Sequence, residues 1–453
     1  MIQTSPMTLE EGRDKHIYIG LYFQETWRPA GVITYNDGHG YAGFSYFDSY
    51  IDQNLPPLNP ATLNHRDTAN RHFVVDGATN AHMLDRTFWE LLPTSGDFGH
   101  HALVARYPQY QSMHNAQRLN FLGNRTVGGL SSYIKRIQEE TNIDSVDWLD
   151  DTQRDAVSFH MQEAVRLRQN GDAFLTMTSY GGVRPKAMYK DEAGKYWIAK
   201  FNLPTDPYDM AVAEHVAMNM ARAAGMKTPD TKVLRLPSGA NVFLTERFDR
   251  VGKHRLHSLS LFSLAPGIEV GGVGGLKQNT AAVMATIVRR FSDFQDQDSA
   301  NIVLKFMVDI GFNNVDNHLR NTRIILNDKG LWELSPVFDI TFNPRSQPHI
   351  YNPTGLPLSE TFLTNDAIVE NLAKQTGADV GVIDGLRQKV IKITEKWETF
   401  CDAAGMSSQD KTKIQASINL GLNRVEIEHR IKLDHRRKIE QLLKSHPKPK
   451  PFG

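Results

Sequence analysis

Cysteine is almost missing from this chain: among 453 residues Cys401 stands alone, which excludes an internal disulfide and any multi-cysteine metal site. It shares a helical pattern with Val390, Ile393, Trp397 and Phe400, so a core thiol in a reducing, cytoplasmic setting is expected rather than a nucleophile. A surplus of either charge is missing too. The 51 Lys and Arg are matched by 51 Asp and Glu, and a net charge of zero gives the whole molecule no field to draw in nucleic acid or an anionic membrane. Long apolar runs are also absent. No stretch approaches the roughly 18 residues that span a bilayer, and residues 1–14 are polar, without the apolar segment of a signal peptide. Membrane association is not expected.

What is present is an ordinary globular composition, in a chain long enough for two or three domains rather than one core. Three β-rich runs at 17–23, 31–35 and 41–47 are broken at Trp27-Arg28-Pro29 and at the hairpin signal Asn36-Asp37-Gly38, which predicts a small sheet. Residues 55–70, rich in Pro and Asn, read as an irregular connection, and 83–92 as a short helix stopped by Pro93. Gly96-Asp97-Phe98-Gly99 has the letters of a kinase metal motif, but it precedes the catalytic candidates instead of following them, so it is set aside. Residues 128–130 open a stretch of ambiguous period, and 155–169 form an amphipathic helical pattern.

The most informative stretch is Asn313-Asn314-Val315-Asp316-Asn317-His318-Leu319-Arg320-Asn321. Its polar residues sit between a helical pattern (Ile302, Val303, Phe306, Met307, Ile310) and a strand pattern at 322–326 that turns at Asn327-Asp328-Lys329-Gly330. Such a loop can hold Asp316 next to a substrate hydroxyl and, five positions later, Asn321 on a metal ion, the spacing of a protein-kinase catalytic loop. A second metal carboxylate should follow a strand or two later, and Asp339 does, at the end of Ser335-Pro336-Val337-Phe338-Asp339-Ile340. Phosphoryl transfer needs this set, because the γ-phosphate and its Mg²⁺ must be neutralised and aligned while one carboxylate orients the attacking hydroxyl. Taken alone, Asp316, Asn317 and Asn321 would read as loop-forming residues; the later Asp339 favours chemistry.

The preceding segments fall in kinase order. Thr176-Met177-Thr178-Ser179-Tyr180-Gly181-Gly182-Val183-Arg184-Pro185-Lys186 places glycines before a strand, where backbone N–H groups can approach phosphate oxygens. The next strand, 196–201, carries Lys200 among apolar residues. That lysine is either a solvent-reaching edge lysine or the one that grips nucleotide phosphates. A helix at 209–224 follows, with Glu214 near its start; Glu214 either pairs with Lys200 or sits favourably near the helix N-terminus, and the second reading is preferred. Strands at 231–236 and 241–246 then lead into Glu246-Arg247-Phe248-Asp249, where a hinge contacting adenine should lie. A second glycine cluster at 271–277 lacks the Gly-Lys-Ser/Thr ending of a P-loop and reads as a mobile loop over the substrate entrance. Helical periods at 367–373, 380–403 and 410–444 predict a mostly α C-terminal half, ended by Arg436-Arg437-Lys438 and the basic, proline-containing tail 448–453.

With these residues in hand, the chain resembles the HipA family of bacterial toxin–antitoxin serine/threonine kinases over nearly its whole length. The resemblance is carried by Trp89-Glu90-Leu91-Leu92-Pro93 and Gly123-Asn124-Arg125-Thr126-Val127-Gly128-Gly129-Leu130 in the first part. It continues through Ser179 to Lys186, Ile198-Ala199-Lys200, Thr245-Glu246-Arg247-Phe248-Asp249-Arg250, the loop ending at Asn321 and the segment ending at Asp339-Ile340. It implies an α+β, protein-kinase-like two-lobed fold: an N-terminal β-rich domain (1–145), a kinase N-lobe (146–255) and a mostly helical C-lobe (256–453). It also implies ATP and Mg²⁺ as cofactors. ATP would be bound by Gly181, Gly182, Val183, Arg184, Pro185, Lys186, Lys200, Glu246, Arg247, Phe248, His318, Leu319, Arg320, Asn321, Phe338 and Asp339, with Asp316 as proton acceptor and Ser179 as the autophosphorylated residue.

Family members act on translation components such as aminoacyl-tRNA synthetases and are held by a small helix-turn-helix antitoxin, so DNA is expected only indirectly, through that partner. Two departures stand out: Arg184-Pro185 replaces Gln-Glu before the loop lysine, and the N-terminal region is longer than the family norm. A small-molecule or lipid kinase, whose loops have similar Asp-to-Asn spacing, is one alternative. A non-catalytic corepressor that uses the kinase shape as a scaffold is the other.

Overall fold

The structure, a computed structural model, describes residues 15–36, 41–66, 72–76, 85–95, 97–123, 126–133, 184–191, 193–203, 205–236, 239–251, 254–265, 281–343 and 362–422. The β-rich start forms β1 (Lys15–Phe23), β2 (Thr26–Asn36) and β3 (Tyr41–Tyr46), followed by the short helix α1 (Asp48–Asp52), β4 (His72–Asp76) and helix α2 (Arg86–Trp89). Then come α3 (Phe98–Arg106), a 3₁₀ turn (Pro108–Gln111), α4 (Asn115–Leu122) and β5 (Leu130–Tyr133). The strands make one antiparallel sheet in the order β4-β3-β2-β1-β5. Ile17, Ile19, Leu21, Ile33 and Phe44 are buried, as expected where alternate side chains of a sheet face a core. Gly31 in β2 tolerates no side chain, because a Cβ there would run into Ser45 O and the Phe44 ring. Asp97 closes a turn ahead of α3, accepting hydrogen bonds from Thr94 N at 2.5 Å and Thr94 Oγ1 at 2.8 Å.

A second antiparallel sheet has the order β6-β7-β9-β8, from β6 (Lys186–Lys190), β7 (Tyr196–Phe201), β8 (Thr231–Arg235) and β9 (Asn241–Glu246). Helix α5 (Met210–Ala223) packs on its β8 and β9 side. Asp209 caps α5 by accepting from Val212 N at 3.1 Å, and its two oxygens also receive Asn202 Nδ2 at 2.8 Å and Asn241 Nδ2 at 2.6 Å. One carboxylate thus ties the helix start to both central strands.

The remainder opens with the two-stranded ribbon β10 (Arg250–Val251) and β11 (His254–Arg255), then β12 (His257–Ser260), α6 (Ala281–Phe291) and α7 (Gln295–Gly311). Strands β13 (Arg323–Leu326) and β14 (Trp332–Leu334) complete a three-stranded sheet in the order β12-β13-β14. Helices α8 (Ala367–Thr376), α9 (Val380–Glu395), α10 (Trp397–Ala403) and α11 (Ser408–Leu422) finish the described chain. Ile302, Val303, Phe306, Met307 and Ile310 are all buried, as the helical period required. Gly421 lets α11 lie directly on the α7 backbone, since a Cβ there would collide with Gly311 O. The single helix read at 380–403 is two, broken at Lys396. Cys401 is buried in α10, and burial pushes its thiol up to about 12.

The first sheet is bonded to the rest by buried polar contacts. Asn59 Nδ2 donates to Ser263 O at 3.1 Å, His257 Nε2 lies 2.7 Å from Leu58 O, and Gly128 N donates to Asp249 Oδ2 at 2.8 Å. Among the described residues, no helix is long and apolar enough to cross a membrane.

Candidate active site

Strand β7 alternates buried Trp197, Ala199 and Phe201 with half-buried Tyr196, Ile198 and Lys200, so Lys200 stands on the more open face of the sheet. There its Nζ lies 2.5 Å from Glu214 Oε1 of α5 and 2.5 Å from Asp339 Oδ1. Glu214 does not serve the helix terminus, the role its position in the sequence favours; it turns inward and pairs with Lys200, the partner that satisfies its buried charge. Burial pulls the Lys200 ammonium pKa down, but Asp339 and Glu214 together push it above its ordinary value. Lys200 and other cations hold the Asp339 carboxyl well below the usual carboxylate range, whereas burial raises Glu214. Asp339 has φ +63°, a left-handed backbone that non-glycine residues rarely adopt and that Asp tolerates better than most. Across the ladder from Lys200 is Lys186, whose ammonium is pushed down to about 8, first by burial and then by Lys200.

The loop after α7 is tied down from inside the protein. Asp309, fully buried, accepts from Lys305 Nζ at 3.2 Å, from Asn314 Nδ2 at 2.7 Å and from Asn317 Nδ2. Burial raises the Asp309 carboxyl against the pull of these donors. Between Asn314 and Asn317 the chain presents Asp316 outward, its side chain 72% exposed, with His318 Nε2 at 3.9 Å. The surrounding walls and the nearby Asp339 charge push the Asp316 carboxyl up. Asn321, in the 3₁₀ turn Leu319–Asn321, donates Nδ2 to Asp316 O at 2.7 Å and so closes the loop on itself.

Around this centre the predicted nucleotide residues have distinct places. Phe248 and Phe338 stack with centroids 5.6 Å apart, joining the end of the second sheet to the residue before Asp339. Glu246 faces Lys195 at 3.0 Å. Arg247 is buried and donates to Asp249 at 2.8 and 2.6 Å, and Arg250 donates to the same carboxylate at 3.0 Å. These charges knit the structure, with Arg247 engaged by Asp249 and its backbone N donating to Tyr196 O. Arg184 is likewise engaged, as a bidentate partner of Asp206 at 2.9 and 2.5 Å, and its Nη2 also donates to Phe201 O at 3.2 Å, next to Lys200. Pro185 and Leu319 are buried, and Pro185 O accepts from Phe201 N at 3.1 Å. Arg320 lies against both Trp89 and Phe262, with its guanidinium 4.2 and 4.8 Å from the two ring centroids. Ser179, Gly181, Gly182, Val183, the cluster 271–277, the helix pattern 155–169 and the basic tail lie outside the described residues.

A lysine held by a helix carboxylate and by a loop-end carboxylate, beside an Asp-to-Asn loop, now has a family to set against it. Residues 178–418 match the family model of the HipA-like C-terminal domain. The chain belongs to the HipA family. Among solved structures, it is similar to a chain from the Shewanella oneidensis MR-1 toxin–antitoxin complex of HipA, HipB and operator DNA. The identity is 12% and the TM-score 0.61, over 90% of this chain and 96% of that one. Helicobacter pylori proinflammatory kinase CtkA matches at 15% identity with a TM-score of 0.36, over 55% of this chain and 95% of its own. No curated protein matches the sequence. The likeness to the Shewanella chain is one of fold, and the α+β, kinase-like two-lobed architecture is the HipA one.

In this HipA-family chain the oxygen donors left for a cation suit a hard ion. Asp339 gives Oδ1 to Lys200, which leaves Oδ2, and Asn321 turns its amide nitrogen to Asp316, which leaves Oδ1. Among the described residues no cluster of three or more His, Cys, Asp or Glu is arranged around a metal. Two oxygen ligands completed by phosphate and water is the usual sparse protein share for Mg²⁺. Sequence reasoning missed Lys305 and Asp309. Their only signal was charge inside an otherwise apolar helix pattern, which cannot say that the two meet each other and the loop asparagines.

Proposed function

We propose that this chain is an ATP- and Mg²⁺-dependent serine/threonine protein kinase. The observation that carries the reading is Lys200, held at 2.5 Å by both Glu214 and Asp339, beside the loop that presents Asp316. Bound MgATP would supply the transferable phosphoryl group and the cation that neutralises it. Lys200, kept cationic by its two carboxylates, and Lys186 hold phosphate oxygens, and residues 181–183 offer them backbone N–H groups. Asp339 and Asn321 are the metal residues. Glu246, Arg247 and Phe248 border the base through the main chain, with Phe338 stacked on Phe248. His318, Leu319 and Arg320 complete the nucleotide side.

Asp316, open to solvent, orients a Ser or Thr hydroxyl and takes its proton. The division into 1–145, 146–255 and 256–453 belongs to the same proposal. So do autophosphorylation at Ser179, a translation-related protein substrate such as an aminoacyl-tRNA synthetase, and a cytoplasmic setting. The Shewanella structure, solved with HipB and operator DNA, supports a small helix-turn-helix antitoxin as partner and DNA contact through it.

The test is incubation of purified protein with Mg²⁺ and labelled ATP, followed by phosphosite mapping. Asp316→Ala should lose at least about a hundredfold in transfer rate while binding ATP nearly as wild type, because it removes the proton acceptor and not the nucleotide cradle. Undiminished transfer by that variant would sink the assignment.

A further inference from the structure

We propose that Trp89, on helix α2 of the N-terminal part, is a positioning residue for the catalytic loop and acts through Arg320. For its cause the inference rests on geometry; for its consequence it rests on the kinase reading.

The loop 313–321 has two anchors. Its first half is held by Asp309, within the same helical region. Its second half, Leu319–Asn321, is held by Trp89 of the N-terminal part together with Leu261 and Phe262. The Arg320 guanidinium lies 4.2 Å from the Trp89 ring centroid and 4.8 Å from that of Phe262, and those two rings pack 5.5 Å apart. Phe262 N donates to Leu319 O at 3.2 Å and Leu261 N to Thr322 O at 2.9 Å, so this cluster is fastened to the loop backbone on both sides of Arg320.

Next to Trp89, Glu90 receives Arg323 Nη2 at 3.1 Å and Ser260 Oγ at 2.5 Å, which fixes α2 to β12 and β13. Arg320 Nε is buried without a hydrogen-bond partner, and among the described residues no carboxylate comes within ion-pair range of this guanidinium. Burial lowers its pKa, against the more distant pull of Asp97 and Glu90. Ring faces therefore do much of the work of holding this cation, an interaction that needs a flat aromatic partner at a defined height. The residue after Arg320 is Asn321, whose amide sets Asp316 O and whose oxygen is the proposed metal ligand. A tilt of Arg320 is therefore passed to both.

Three single variants and one double variant separate this role from packing: Trp89→Leu fills most of the volume without a π face, Trp89→Phe restores a face, Arg320→Met removes the cation, and the fourth combines Trp89→Leu with Arg320→Met. The first readout is hydrogen exchange of a peptide spanning 316–322, without nucleotide. Trp89→Leu and Arg320→Met should each speed it about tenfold while a peptide within α9 stays unchanged, the pair together should add little more, and Trp89→Phe should return it toward wild type. The second readout is steady-state transfer. Trp89→Leu should lower kcat about tenfold and raise the Mg²⁺ concentration needed for half-maximal rate, with KM for ATP moving less.

Loop exchange that is unchanged in Trp89→Leu, or that rises together with α9, would overturn the inference, and so would wild-type kcat and Mg²⁺ dependence. A wild type that transfers no phosphate would instead fail the kinase reading, and the exchange result would then judge the Trp89–Arg320 coupling by itself.

Discussion

Lys186 and Lys200 face each other on neighbouring strands, yet their surroundings drive them in opposite directions. Lys200 has two carboxylates at 2.5 Å and remains charged across the physiological range, whereas Lys186 is brought down to about 8 by burial and by Lys200 itself. The cationic form of Lys186 dominates below that value and is lost as the pH rises through it. If Lys186 holds a phosphate oxygen, kcat/KM for ATP should fall above about pH 8. Lys186→Arg, which keeps its charge, should remove that alkaline limb. A pH–rate profile of the two proteins decides, and superimposable alkaline limbs would remove Lys186 from the nucleotide site. Glu214 shows why this scale was only partly legible in the sequence. Its distance from the helix start favoured a terminus role, and only the rotation of α5 against β7 shows that it points at Lys200.

Among the elements, α7 and the loop it feeds form the unit on which the chemistry depends. The buried Lys305–Asp309 pair is an expensive way to hold a loop, since both charges leave water. Asp309→Ala should cost about 3–5 kcal/mol, because it strands Lys305 and removes the acceptor of two asparagine amides. The double variant Lys305→Met/Asp309→Leu should regain much of that stability without regaining activity, a contrast that urea unfolding and phosphoryl transfer can measure side by side. Recovery of both would mean that the pair only fills space. The period of Ile302, Val303, Phe306, Met307 and Ile310 made this helix readable, and runs of apolar, β-branched and aromatic residues did the same for β1, β7 and β9. Helices α3 and α4 and strand β12 were not foreseen. Each is short, and β12 is defined by its pairing with β13 some sixty residues later rather than by its own pattern. Long-range pairing of this kind leaves no local signal.

At the scale of the whole molecule, Asp249 joins the second sheet to the first. It accepts from Arg247, Arg250 and Gly128 N, and Arg250 in turn donates to Gly128 O at 3.0 Å and Thr126 O at 3.1 Å. Burial pushes the Asp249 carboxyl up, but the two guanidiniums and the backbone donor push it down further, well below the usual carboxylate range. The folded pKa therefore lies below the unfolded one, near 3.9. The stabilisation is complete above that value and is lost as the pH falls below it toward the folded pKa. Asp249→Asn should lower stability by about 3–5 kcal/mol at neutral pH and flatten the loss of stability between about pH 4 and 2, which thermal melts over that range would measure. An unchanged acid limb would contradict the assignment. The contacts Asn59–Ser263, His257–Leu58 and Asp249–Gly128 carry a further consequence, because they cross between stretches far apart in the sequence and owe nothing to the peptide bonds in between. If the chain were cut between β5 and β6, the two pieces, expressed together, should copurify as a nicked complex. Each piece produced alone should present the other's missing half as an adhesive, insoluble face.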